Sequence, residues 1–563
     1  MRINQRVWAP WVCALLVFCA ACGQSVTSPS NSPFPEPFDP EPANETFAGI
    51  PARWNPGETV PVHGRRNPLG VPESELTRLA TAGREHTLRY PVEVTGFLVP
   101  FDPLLAVVEG QTDSPIRQLI ADALPRFTGI HDRTDVWELI GLVPDRDGSY
   151  MGVTVMDTDE GRGFTFSCAA CHAGRLFGEP IWGLHNRRSR ANSLFVQTKP
   201  LFDLISPNLF RLGSGASDEE TAMYERTREN MRFIDSVEPR AFGLDTALAH
   251  TILSISLREN DPWATRTDEA AESPRPNPLL VEPCDVKPAT WWLTKYKNKW
   301  FSDGSLVSGN PAVASVLINE YGRGSDLREV DVWLDDNSHI IDELTSAIFS
   351  SEAPSYFDFF DADEFDIEAA KRGQIHFQAQ CARCHGAYEK GWDTSETGPP
   401  REQMATTRVR YFANTPIHDV GTDPYRARAI DYLQELNRIA LAEKHAVVLE
   451  SQQGYVPPPL VGIWARWPYF HNMSAPTLCD VLTRGEDRPS FYVAGEPIDR
   501  ERDFDSLCNG YPKLAPAHFD APFDTRIPGL DNRGHDEGIF LRDGEELFSP
   551  AEKADLIRFL QTL

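Results

Sequence analysis

Asp366-Ile-Glu-Ala-Ala-Lys-Arg-Gly-Gln-Ile-His-Phe377, with Cys381-Ala382-Arg383-Cys384-His385 close behind it, is the stretch that decides how this chain folds. Its first part predicts a helix over 366–377. Asp366 is an N-cap residue whose side chain accepts from the first free amides. Ala370, Gly373 and Phe377 then fall on one face. The second part sets two thiols three positions apart on one side of a helical turn, with an imidazole next to them. Such a set can add both sulfurs across porphyrin vinyl groups and turn the imidazole toward the iron. The same pattern occurs earlier as Cys168-Ala169-Ala170-Cys171-His172. Zinc is the rival ligand, but a structural zinc site closes with four N/S ligands. Neither motif has a matched fourth ligand nearby. The reading is two covalently bound haem c groups, tethered by Cys168, Cys171, Cys381 and Cys384, with His172 and His385 on the irons.

The motifs lie too far apart for a compact multihaem wire and suit two domains with one haem each. After the second motif the chain closes on Ser549-Pro550-Ala551-Glu552, an N-cap, a first-turn proline and a capping-box glutamate. Leu556, Leu560 and Leu563 follow as one apolar stripe. A helix before the motif and an amphipathic helix at the end resemble a cytochrome c domain. The expected fold is mainly α with long loops: two cytochrome c-like haem domains, the first enlarged by insertions. Leu104–Phe127 and Ala222–Ser256 have helix-like apolar spacing. Residues 262–289 are rich in proline and read as a surface excursion.

With 563 residues, 41% of them hydrophobic, the chain can bury a sizeable core, and 46 Pro and 38 Gly favour ordered loops. The formal net charge of -28, from 54 Lys+Arg against 82 Asp+Glu, disfavours nucleic acid. A basic protein partner or a neutral substrate suits it better. Arg2 and Arg6, the short apolar stretch Trp8–Ala21 and the run Cys19-Ala20-Ala21-Cys22-Gly23 read as an export signal over 1–22. The run resembles a bacterial lipobox, which would acylate Cys22. Gly23 in place of Asp then implies the outer membrane, with the periplasm as compartment and the lipid as the sole membrane attachment. Residues 23–56 are a polar, proline-rich tether. The first haem domain is assigned to 57–350 and the second to 351–563. Of the ten Cys, three fall in the signal and four in the motifs. In an oxidising compartment Cys479 and Cys508 could pair, leaving Cys284 odd.

The second half carries further matches. Leu460-Val-Gly-Ile-Trp-Ala-Arg-Trp-Pro-Tyr-Phe-His-Asn472, Ala475-Pro-Thr-Leu478, Phe523-Asp-Thr525, Pro528-Gly529 and Asn532-Arg-Gly-His535 resemble the bacterial dihaem cytochrome c peroxidase superfamily. The long first region looks most like the dihaem rubber-oxygenase branch. The resemblance covers about 140–200 and 285–563. It implies one closed haem and one that is open or can be opened. His185, in Gly183-Leu184-His185 before Arg187, Arg188, Arg190 and Asn192, would cap the first haem or face its open side; the alternative is a surface histidine in a basic loop. The superfamily's Met ligand to the second haem is missing, since Gly485 stands at that position. His535 fits the late histidine of the rubber-oxygenase branch, with His471, Tyr492 and His518 as rivals. Trp291, Trp292, Trp300 and Phe301, in segments resembling a region near the first haem of that branch, would line its pocket or bridge the haems; plain core packing is the alternative. Trp300 and Phe301 join His185 as catalytic candidates.

The implied activity is an exported dihaem oxidoreductase that activates peroxide or dioxygen at the first haem while the second relays electrons. Its partners would be a small redox protein, peroxide or dioxygen, and an apolar organic substrate. The rival is a non-catalytic periplasmic electron-transfer cytochrome.

Overall fold

The computed structural model describes residues 59–61, 67–89, 96–108, 137, 140–276, 284–393, 398–513 and 519–563. The signal over 1–22 with Cys22, the tether, His518 and the part of Leu104–Phe127 beyond Val108 lie outside that description. Among the described residues no helix is long and apolar enough to cross a membrane.

The helices that place the site are α1 (Glu73–Arg89), α2 (Asp218–Met231), α3 (Ala247–Ile255), α4 (Pro311–Gly322), α5 (Ser338–Ser350), α6 (Ile367–Gln380), α7 (Tyr425–Leu433) and α8 (Pro550–Gln561). The sheets are ribbons of two or three strands. The hairpin β1 (Val153–Thr158) and β2 (Gly161–Phe166), registered Val153 against Phe166, leads into the first motif. The hairpin β3 (Ala173–Leu176) and β4 (Glu179–Trp182) leads out of it. The antiparallel pair β5 (Ala387–Lys390) and β6 (Thr407–Phe412) follows the second motif.

Helix α6 begins where its N-cap predicts, with the Asp366 carboxylate accepting from the Ala369 amide. Helix α8 has a complete capping box between Ser549 and Glu552. Its Leu556 and Leu560 are buried and pack on α6. Gly373 lets the two helices touch, because a Cβ there would stand 2.0 Å from the Asp555 carbonyl oxygen. The stretch 222–256 is two helices and not one. Pro239 and Gly243 interrupt it, and the chain turns so that Asp245 and Val286 exchange backbone hydrogen bonds of 2.8 and 3.1 Å. For the same reason 262–289 is not a surface excursion throughout. Cys284, Asp285 and Val286 are buried, and the Asp285 carboxylate is held by Arg240 at 2.8 Å.

Residue 350 ends α5, but the apolar cores cross it. One core joins Phe377, Trp464 and Phe559 with Leu184, Trp292 and Tyr296 from the first half. Another joins α3 and α4 with Ala429, Ile430 and Leu433 of α7. The tip of the β3–β4 hairpin makes a third link. Phe177 adopts φ +51° beside Gly178, and its ring meets Phe359, Phe360, Trp467 and Phe504 at centroid distances of 5.5 to 6.2 Å. Cys479 and Cys508 form a disulfide.

Candidate haem sites

At the second motif, α6 runs into a helical turn in which the Cys384 and His385 amides both donate to the Cys381 carbonyl, at 3.1 and 3.0 Å. The turn puts both thiols and the imidazole on its inner side. Gly386, at φ +85°, lets the chain leave past the Arg410 carbonyl. The His385 Nδ1–H donates to the Pro458 carbonyl at 2.9 Å. A carbonyl only accepts, so this bond fixes the tautomer and leaves Nε2 with its lone pair free.

The motif opens on a largely apolar cavity of about 280 Å³ that Cys381, Cys384, His385, Phe470, Leu560 and His535 help to line. The centroids of the His385 and His535 rings are 6.2 Å apart, with their planes at 58°. Two imidazoles bonded to one metal at about 2 Å each bring their centroids about 6 Å apart, so the spacing fits one iron between them. His535 is held by its backbone, which adopts φ +54° and donates to the Val420 carbonyl at 2.7 Å. Gly534 lies flat on Gly421, where a Cβ would meet backbone at 2.2 Å. The His535 Nδ1 is sealed from solvent and makes no hydrogen bond of good geometry among the described residues, its own backbone being a weak polar neighbour. Burial, then the neighbouring His385 and Arg488, hold the His535 pKa down at about 3; burial holds His385 at about 4. Both rings are neutral at ordinary pH, the form that binds metal. Burial also pushes the Cys381 thiol up to about 12. These residues fit a haem bound through two thioethers and two imidazoles.

The first motif repeats the local geometry. The Cys171 and His172 amides donate to the Cys168 carbonyl at 3.3 and 3.1 Å, and the His172 Nδ1–H donates to the Ala289 carbonyl at 2.7 Å. Trp291 stacks on the His172 ring at 5.1 Å, and Trp182 meets Trp291 edge-on at 5.2 Å. Among the described residues no second imidazole is in ring contact with His172. No group of three His, Cys, Asp or Glu side chains among them is arranged to hold a metal ion.

His185 is not in a surface loop. It is fully buried, and burial with Lys287, Arg187 and Arg466 nearby keeps it neutral. Its ring nitrogens make no hydrogen bond of good geometry, the Trp467 backbone being a weak polar neighbour. Trp292 is core, its Nε1–H donating to the Val461 carbonyl at 3.0 Å. Trp300 is half-buried, donating to the Thr294 carbonyl at 3.3 Å. Phe301, at φ +64°, lines the cavity of the second motif. His471 lines the same cavity and stacks on Tyr455 at 3.9 Å. Tyr492 donates its hydroxyl to the Met473 carbonyl at 2.7 Å and is not among the residues lining the cavity.

Sequence reasoning missed the two carbonyls that orient the motif histidines. A signal was present: Pro458 precedes Pro459 and Ala289 follows Pro288, so both carbonyls sit in segments where proline leaves the backbone without regular pairing. It also gave no role to Lys287, Lys297 and Arg466, which reach the cavity.

Residues 454–493, which include Arg466 and His471, match the family described as RoxA-like, cytochrome c-like. This segment is therefore similar to part of a cytochrome c-like domain, which supports haem and electron-transfer chemistry in general terms. The chain is similar to the uncharacterized protein y4iJ of Sinorhizobium fredii, 35% identical over 117 residues that make up 20% of this chain and 19% of that protein. It is also similar to y4iM of the same organism, 26% identical over 222 residues, 35% of this chain and 49% of that one. The chain thus spans about a fifth and about half of the length of these relatives.

Proposed function

We propose that this chain is an exported dihaem oxidoreductase that activates peroxide or dioxygen at the haem on His172 and relays electrons through the haem on His385. The carrying observation is the asymmetry of the two sites. The His385 and His535 ring centroids are 6.2 Å apart, a spacing that one iron would fit, while His172 has an indole on one side and, among the described residues, no second imidazole in ring contact. Bound haem supplies one-electron chemistry and, where its sixth position is open, a place for a small oxygen ligand. The Ala289 and Pro458 carbonyls hold the two proximal rings in the tautomer that ligates. The largely apolar lining of the second site suits a relay.

The periplasm, an outer-membrane lipid anchor on Cys22, a small redox partner and an apolar organic substrate belong to the same reading. They are supported by the signal-like N-terminus, the acidic charge and the resemblance to rubber oxygenases. The test is the spin state and cyanide affinity of each haem in the oxidised protein. Denatured wild type should keep two haems, and Cys168→Ala/Cys171→Ala should keep one. The haem on His172 should be high-spin or bind cyanide, and the haem on His385 should be low-spin and inert. Two inert low-spin haems would make the chain an electron carrier, and extractable haem would overturn the reading.

A further inference from the structure

The cavity beside His385 is lined by the cations Lys287, Lys297, Arg383 and Arg466, and no Asp or Glu is among its lining residues. That is unexpected in a chain where acids outnumber bases 82 to 54. Two other buried cations of this protein have acidic partners, Arg426 holding Asp303 at 2.9 Å and Lys295 holding Glu352 at 2.7 Å, while Arg258 and Lys390 spend their N–H groups on carbonyl and hydroxyl oxygens. A cation facing an apolar cavity without an anion is costly, and three of these four carry unused hydrogen-bonding capacity. The Lys287 ammonium donates to the Arg466 and Pro468 carbonyls at 3.0 and 2.7 Å, which leaves one of its three N–H bonds. Arg466, 6% exposed, donates to the Pro459 carbonyl at 2.9 Å, and its Nε is buried with no partner. The Lys297 ammonium has no hydrogen-bond partner among the described residues, and Asp303 nearby is taken by Arg426. Arg383 is committed to the Gly538 carbonyl at the rim.

We propose that Lys287, Lys297 and Arg466 form the carboxylate-binding edge of this cavity, taking the paired propionates of a haem tethered at Cys381 and Cys384. The inference rests on the haem reading and deepens it, because it states which way round the macrocycle lies. Its vinyl edge faces α6 and its acid edge faces residues from both halves of the chain. Burial and the neighbouring Arg466 lower the pKa of Lys297 to about 8, a cost that an anion in the cavity removes.

The test uses the full haem-loaded chain. Lys297→Met is the main variant, since it deletes a charge and breaks no described side-chain hydrogen bond; Arg466→Met and Lys297→Arg accompany it. Covalent haem is counted after denaturation. The propionate bending modes are read by resonance Raman spectroscopy, and the midpoint potential of the haem on His385 by spectroelectrochemistry. In Lys297→Met the haem count should hold, the propionate modes should shift and the potential should fall, because losing a nearby cation favours ferric iron. Lys297→Arg should restore both. Unmoved modes in Lys297→Met and Arg466→Met at full haem count would overturn the proposal. So would a lower potential with unmoved modes, which would assign the cations to a separate carboxylate ligand. Wild type without covalent haem would overturn this proposal and the haem reading together.

Discussion

His535 adopts a left-handed backbone conformation that few side chains other than Gly, Asn, Asp and His populate. The cost is borne by the contact of Gly534 on Gly421 and by the bond from the His535 amide to the Val420 carbonyl. Strain of this kind persists only where surrounding structure enforces it, and it often marks a functional position. His535→Ala should convert the second haem from bis-histidine low spin to high spin and leave the first unchanged, as read by near-infrared magnetic circular dichroism. The rivals are less well placed. His471 is stacked on Tyr455, and Tyr492 has its hydroxyl bound to the Met473 carbonyl. A retained bis-histidine signal in the variant would move the ligand to His471.

At the scale of elements, the contact between α6 and α8 carries the second motif, because Cys381 caps α6. Gly373→Ala should destabilise the protein by about 1–3 kcal/mol, the usual cost of an overpacked core position, since its methyl would press on the Asp555 carbonyl. It should also broaden the spectrum of the second haem. Ile375→Ala, on the 66% exposed side of the same helix, should change stability by less than about 0.5 kcal/mol. Equal melting temperatures for wild type and Gly373→Ala would contradict this packing. Both helices were legible in the sequence because their signals are local: Asp366 and Ser549 as caps, Glu552 in its box, and a period of 3.6 after each. So were the two motifs, and resemblance singled out His535, whose ring centroid lies 6.2 Å from that of His385. The break between α2 and α3 was harder to read. Pro239 announces it, but the apolar spacing on either side keeps the same phase. The burial of Cys284–Val286 could not be read locally, because it depends on Asp245 and Arg240, about 40 residues away in the chain. The cavity cations were illegible for a related reason. Lys287, Lys297 and Arg466 come from separate segments, and no spacing rule brings them to one wall.

The whole molecule is held by contacts that ignore the midpoint of the chain. Arg187, from the loop after the first motif, donates to the Ala465 and Trp467 carbonyls at 2.6 and 2.7 Å, and its guanidinium lies 4.1 Å from the Trp467 ring. Lys287 grips the neighbouring Arg466 and Pro468 carbonyls. Trp292 is fully buried in the core that contains Phe377 and Phe559, and it lies against Gly462, where a Cβ would stand 3.0 Å from its Nε1. The segment 460–472 is therefore oriented from the first half, while its neighbour Pro458 orients His385. Cutting the chain at 350 would strip the second haem site of Lys287, Lys297 and Phe301, and its core of Trp292. Residues 351–563 expressed alone should therefore fail to give the bis-histidine spectrum of the intact protein. In the full chain Trp292→Ala should cost about 3–5 kcal/mol, as for other buried large-to-small changes. Because the cores are shared, that loss should lower the thermal transition of both haem environments together, followed by circular dichroism in the haem band of each single-haem variant. Two transitions, of which Trp292→Ala moves only one, would show that the halves fold independently and that the contacts between them are docking and not core.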